Sequence, residues 1–145
     1  MVLAFVVAMT GGPALAQSYR VEIEAPGELA RPLRQGLNLV RLQNEPDIGP
    51  ERFKRLLEEA AREAREAAAT EGYFSARVST RVDDATQPRT VHLALEPGER
   101  TQITAVEIRF SGPAAEDPEA REALEQVREG WRLRAGQPFR QEAWE

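Results

Sequence analysis

Few side chains in this chain could do chemistry. His92 is the only histidine, cysteine is absent, and Asp83-Asp84 is the only pair of neighbouring aspartates. A nucleophilic triad or a catalytic metal needs several such groups converging on one point, and a lone imidazole supplies one. The lack of thiols excludes a disulfide framework, a thiolate zinc site, an iron–sulfur cluster and cysteine catalysis. Two carboxylates fall short of the roughly 6–8 oxygens that calcium takes, and a solvated turn is the simpler reading of Asp83 and Asp84. With no glycine-rich phosphate cradle either, the expectation is a chain without enzymatic activity, cofactor or metal. The balance of 19 Lys+Arg against 24 Asp+Glu gives a net charge of -5, the wrong sign for gripping phosphate backbones. Nucleic acid is therefore not an expected partner.

The elements that would carry a binding role start after an address. Residues 1–16 hold no charged side chain; Val2 to Met9 form an apolar run, Gly11, Gly12 and Pro13 break it, and Ala14-Leu15-Ala16 precedes Gln17 as a small-x-small cleavage pattern. This predicts an exported protein cleaved between Ala16 and Gln17. The leader lacks a basic n-region, which places the true start codon in question.

Tyr19, Val21 and Ile23 alternate with Arg20, Glu22 and Glu24, the period of a half-buried strand stopped by Pro26-Gly27. A helix is expected from Glu28 to about Leu42 with Leu29, Leu33, Leu37 and Val40 along one stripe, weakened by Pro32 and Gly36. The strongest periodicity follows Pro50: Phe53, Leu56, Leu57, Ala60, Ala61, Ala64 and Ala68 make one apolar face, and Gly72 closes the helix. Phe74, Ala76, Val78, Thr80 and Val82 then read as the inward side of a strand, with Tyr73 either packed at the helix end or exposed. Val91, Leu93 and Leu95 read as the inward side of the returning strand, leaving His92 exposed.

Residues 19–96 thus read as β-α-α-β-β, and after Pro97-Gly98 the plan restarts. A strand is expected over Thr101 to Phe110, a helix over Glu116 to Glu129 with Leu124 and Val127 inward, and another helix opened by Gly136-Gln137-Pro138-Phe139. The expected organisation is a leader (1–16), a first domain (17–98) and the start of a second, truncated one (99–145). The fold class is α+β: tandem units, each a three-stranded mixed sheet covered on one face by two helices, the second incomplete and the less stable.

Several stretches carry a family resemblance. They are Tyr19-Arg20-Val21-Glu22-Ile23 after the leader, Glu71-Gly72-Tyr73-Phe74 at the helix end, and Leu95-Glu96-Pro97-Gly98-Glu99-Arg100-Thr101-Gln102-Ile103 at the junction. Val106-Glu107-Ile108-Arg109-Phe110-Ser111-Gly112 and Gly136-Gln137-Pro138-Phe139, with Trp144 nearby, add to them. Together they resemble the polypeptide-transport-associated (POTRA) domains of outer-membrane assembly proteins, and most of all the N-terminus of the TamA type within the BamA superfamily. The resemblance implies tandem domains on the periplasmic side of a Gram-negative outer membrane, attached to a C-terminal β-barrel absent from this chain. It also implies a role in assembling outer-membrane proteins and autotransporters, with unfolded outer-membrane proteins and a TamB-like inner-membrane-anchored protein as partners.

Binding would then use a sheet edge, where added strands gain affinity from main-chain hydrogen bonds with little demand on sequence. The candidate edge runs from Tyr73 to Val82, with Tyr73, Ser75, Arg77, Ser79 and Arg81 as its partner-binding residues. Arg77 and Arg81 would also discourage uncontrolled pairing. A BamA-type protein, a two-partner secretion transporter and a free periplasmic adaptor or scaffold without a barrel remain alternatives.

Overall fold

The computed structural model describes residues 18–144. The leader and its Ala16–Gln17 cleavage site lie outside the described residues. Strand β1 (Arg20–Glu24) leads into helices α1 (Gly27–Gly36), α2 (Asn38–Arg41) and α3 (Pro50–Thr70), then strands β2 (Arg77–Asp83) and β3 (Thr90–Glu96). The sheet order is β1-β3-β2, with β1 parallel and β2 antiparallel to the central β3. This is the expected mixed three-stranded sheet. Among the described residues no helix is long and apolar enough to cross a membrane.

The core follows the two periodicities. Val91, Leu93 and Leu95 of β3 are buried, and Val21, Ile23, Val78 and Val82 flank them from the edge strands. Against them lie Phe53, Leu56, Ala60, Ala64 and Ala68, at helical spacing along α3. Three of these are alanines with no exposed surface, so the helix backbone can approach its neighbours closely. Pro50 occupies the first turn of α3, where a missing N–H costs nothing. At the other end Gly72, with φ +89°, donates to the Ala69 carbonyl while Tyr73 N–H reaches the Ala68 carbonyl, the paired bonds of a Schellman cap.

The expected single helix from Glu28 to Leu42 is two helices. Leu37 is extended (φ -66°, ψ 127°), and both Leu37 and Leu39 are buried. Residues two apart point to nearly opposite sides of a continuous helix, so the break lets both reach the core. It is braced from α3, where the Glu63 carboxylate accepts from the Asn38 backbone N–H (3.0 Å) and side-chain amide (2.7 Å).

Beyond residue 99 the structure departs further from expectation. The strand predicted over Thr101 to Phe110 does not form: apart from a bridge between Gln102 and Pro138, residues 101–110 join no ladder. Extended backbone becomes a strand only against a partner, and only Thr101 and Ile103 find one, in the turn at 136–139. The helix predicted from Glu116 is split into α4 (Pro113–Glu116), a 3-10 turn (Pro118–Ala120) and α5 (Arg121–Gly130). Pro118 forces the preceding Asp117 into extended backbone. Val127, expected inward, is 50% exposed, and Leu124 is half-buried. Pro138 lies in the bridge instead of opening a helix, and the last helix, α6 (Gln141–Trp144), is a single turn.

Candidate protein-binding edge

The sheet has two edges. β1 is the shorter, and the chain just before it is tied to the interior: Ser18 Oγ donates to the Glu45 carbonyl, and Tyr19 Oη donates to the Leu39 carbonyl at 2.8 Å. β2 is seven residues long and, among the described residues, pairs only with β3, so there its other side is an unpaired row of backbone donors and acceptors. Arg77, Ser79 and Arg81 are exposed along it and share one face.

Tyr73 and Ser75, named with them from the sequence, are not in the strand. Residues 73–76 form the turn between α3 and β2, so the alternation cannot be run back through them. Phe74, expected inward, is 58% exposed and stacks on Phe139 with ring centroids 5.3 Å apart. Tyr73 instead packs against the core, with its hydroxyl donating to the Glu28 carboxylate. That bond, acting first, and local burial and the neighbouring carboxylates raise the Tyr73 pKa, opposed by Arg100.

Sequence reasoning missed the cluster beside this turn. Arg100 donates to the Glu71 carbonyl (2.7 Å) and carboxylate (3.1 Å), approaches Glu28 (3.7 Å), and sits 5.3 Å from the centre of the Tyr73 ring. Arg140 joins the same Glu71 carboxylate at 3.7 Å. Thr101 N–H donates to the Gly72 carbonyl and Phe139 N–H to the Thr101 carbonyl, both at 2.9 Å. These bonds clasp the chain beyond residue 99 onto the end of α3. No local pattern signals a contact between residues 29 positions apart.

The residues able to do chemistry are engaged structurally. His92 is half-buried, not fully exposed as expected, because Glu22 lies opposite it in register, with its carboxylate 3.3 Å from Nδ1. Asp83 Oδ1 accepts from Ala85 N–H at 3.0 Å, an Asx turn, and Asp84 approaches Arg89 at 4.0 Å. Among the described residues no three His, Cys, Asp or Glu side chains gather where they could hold a metal ion.

Comparison with known proteins agrees with this architecture. The family model "POTRA domain TamA domain 1" matches residues 20–97, just over half of the chain. The chain belongs to that POTRA family. The match starts on the first residue of β1 and ends one residue past β3, so it covers the whole POTRA sheet and the three helices packed on it. Among solved structures, the crystal structure of Haemophilus influenzae BamA POTRA3-5 is similar to this POTRA chain at 21% identity and a TM-score of 0.44. The alignment covers 89% of this chain and 46% of that one, so the chain spans less than half the length of that structure. No curated protein matches it.

Proposed function

We propose that this chain is the periplasmic POTRA region of a TamA-like factor for outer-membrane protein assembly and autotransporter translocation. In this reading it is exported by the leader at 1–16, forms one POTRA domain at 17–98 and begins a second at 99–145. It works by protein–protein contact: unfolded outer-membrane proteins, and a TamB-like inner-membrane-anchored partner, add a strand to the free edge of β2. The membrane is reached through a C-terminal barrel outside this chain. The observation that carries the mechanism is that edge: seven residues paired on one side only among the described residues, in a domain of the POTRA family. Main-chain pairing makes little demand on sequence and suits a factor with many clients.

A proline scan tests it. Neighbouring amides of a strand point to opposite edges, so of Ser79→Pro and Thr80→Pro one removes a donor from the β2–β3 ladder and the other removes it from the free edge. The variant that keeps the native circular dichroism spectrum should bind a urea-unfolded outer-membrane barrel protein at least about tenfold more weakly, the equivalent of ~1.4 kcal/mol. Unchanged binding by that variant removes β2 from the mechanism.

A further inference from the structure

The β2 edge also carries a charge pattern that would choose among strands. Arg77 and Arg81 flank Ser79 on the exposed face, while Val78 and Val82, on the opposite face, pack against the core. Neither guanidinium forms an ion pair, a side-chain hydrogen bond or a ring contact among the described residues. Their register neighbours on β3 are Glu96 and His92. Glu96 stands opposite Arg77 in register without closing an ion pair, and His92 is turned to Glu22. Both guanidiniums are thus open to a further carboxylate along the β2 edge of a chain whose net charge is -5.

We propose, resting on the strand-addition reading above, that β2 takes an acidic, amphipathic extended segment. Its carboxylates would stand opposite Arg77 and Arg81, four residues apart, with a small residue facing Ser79 between them. Its alternate side chains would be apolar, extending the surface begun by Val78 and Val82. Side chains at i, i+2 and i+4 share a face, so the two arginines are separated by roughly 13 Å along the strand. One carboxylate cannot serve both, and the spacing itself becomes a selection rule. Opposite charges facing each other across a strand pair stabilise it, and like charges destabilise it. Basic segments are rejected by the same two residues that hold acidic ones.

The test titrates the isotopically labelled chain with two synthetic ten-residue peptides of alternating valine and polar residues. One carries Glu at two polar positions four apart with Ser between them; the other has Lys in place of both Glu. The Glu peptide should shift the backbone amides of residues 77–83 and bind on the order of tenfold more tightly at low salt. The difference should shrink in 0.5 M salt (about a 4 Å screening length), because these charges are exposed. Arg77→Glu/Arg81→Glu should reverse the preference, and Arg77→Ser/Arg81→Ser should erase it; both changes are at exposed positions. Because the first sets a carboxylate opposite Glu96, a native circular dichroism spectrum is required of it, the Ser pair carrying the test if that spectrum is lost. Equal binding of both peptides at β2 overturns the charge selection and leaves strand addition standing. No shift of β2 by either peptide overturns both. Concentration-dependent shifts of β2 without peptide overturn the proposal in favour of pairing between copies of the chain.

Discussion

Tyr19 stands where the chain enters the sheet, fully buried, with its ring 5.1 Å from that of Phe53 and its hydroxyl bonded to the Leu39 carbonyl. Burial pushes its pKa up to about 12, with the Glu45 charge adding to the rise and Arg52 opposing it. An unfolded tyrosine ionises near pH 10. The folded chain therefore holds its proton where the unfolded chain has released it. The stability contributed by neutral Tyr19 is complete below about pH 10 and is lost as pH rises toward 12. Urea melts of Tyr19→Phe should show a shallower fall in stability between pH 9 and 11.5 than wild type (roughly the span separating the two ionisations). At neutral pH the variant should be less stable by ~1 kcal/mol, because the Leu39 carbonyl loses its donor. An alkaline profile identical to wild type would refute this. Alternation alone makes the inward side of Tyr19 legible in the sequence. The hydroxyl's partner is not, since it lies 20 residues away across a helix break. Phe74 marks the opposite case: its parity reads inward only if the strand extends back to it, and the strand starts three residues later.

At the scale of elements, α3 is the most legible because its apolar face repeats through 21 residues and ends in a glycine cap. Its alanines set how closely it packs. Ala64→Leu forces extra volume between helix and sheet and should cost about 1–3 kcal/mol, read as a lower midpoint in urea. Arg65→Leu, one position round the exposed face, should change stability by less than about 0.5 kcal/mol. Equal effects would mean the face assignment is wrong. The end of α3 is where the sequence becomes less informative. Gly72 reads as a cap, and in the structure it is also the point on which the following chain is hung. A Cβ there would lie 2.7 Å from the Phe139 carbonyl oxygen, and φ +89° already disfavours any other residue. Gly72→Ala should cost roughly 1–3 kcal/mol. It should also speed amide exchange at Thr101 and Phe139, the two amides of the clasp, more than in β3. A uniform change in exchange across both regions would show that the cap matters and the clasp does not.

Over the whole molecule, burial is divided unevenly. From Tyr19 to Leu95 two layers cover one another, whereas beyond residue 99 Leu133 alone is buried among the described residues. Ile103, Val106, Ile108, Trp131, Leu133 and Trp144 line an open groove of about 460 Å³ instead of a closed core. This half was least legible because its local signals are sound but incomplete. Alternation at 106–110 and helical spacing at 121–130 specify which elements are favoured, while a strand also needs a ladder and a helix a surface to cover. What holds the half in place is the clasp, made of Arg100 on Glu71 and the backbone bonds of the Thr101 and Phe139 amides. Local opening free energy follows buried apolar contact, so residues 104–130 should open far more often than the β1-β3-β2 sheet. Limited trypsin digestion should cut at Arg109, Arg121 and Arg128 well before Arg77, Arg81 or Arg89, although all six stand in the same chain. Arg100→Ala should quicken the first group of cuts and leave the second unchanged, because it releases the clasp without entering the core. If both groups were cut at one rate, the two halves would be a single cooperative unit, and the clasp would be a surface contact of little consequence.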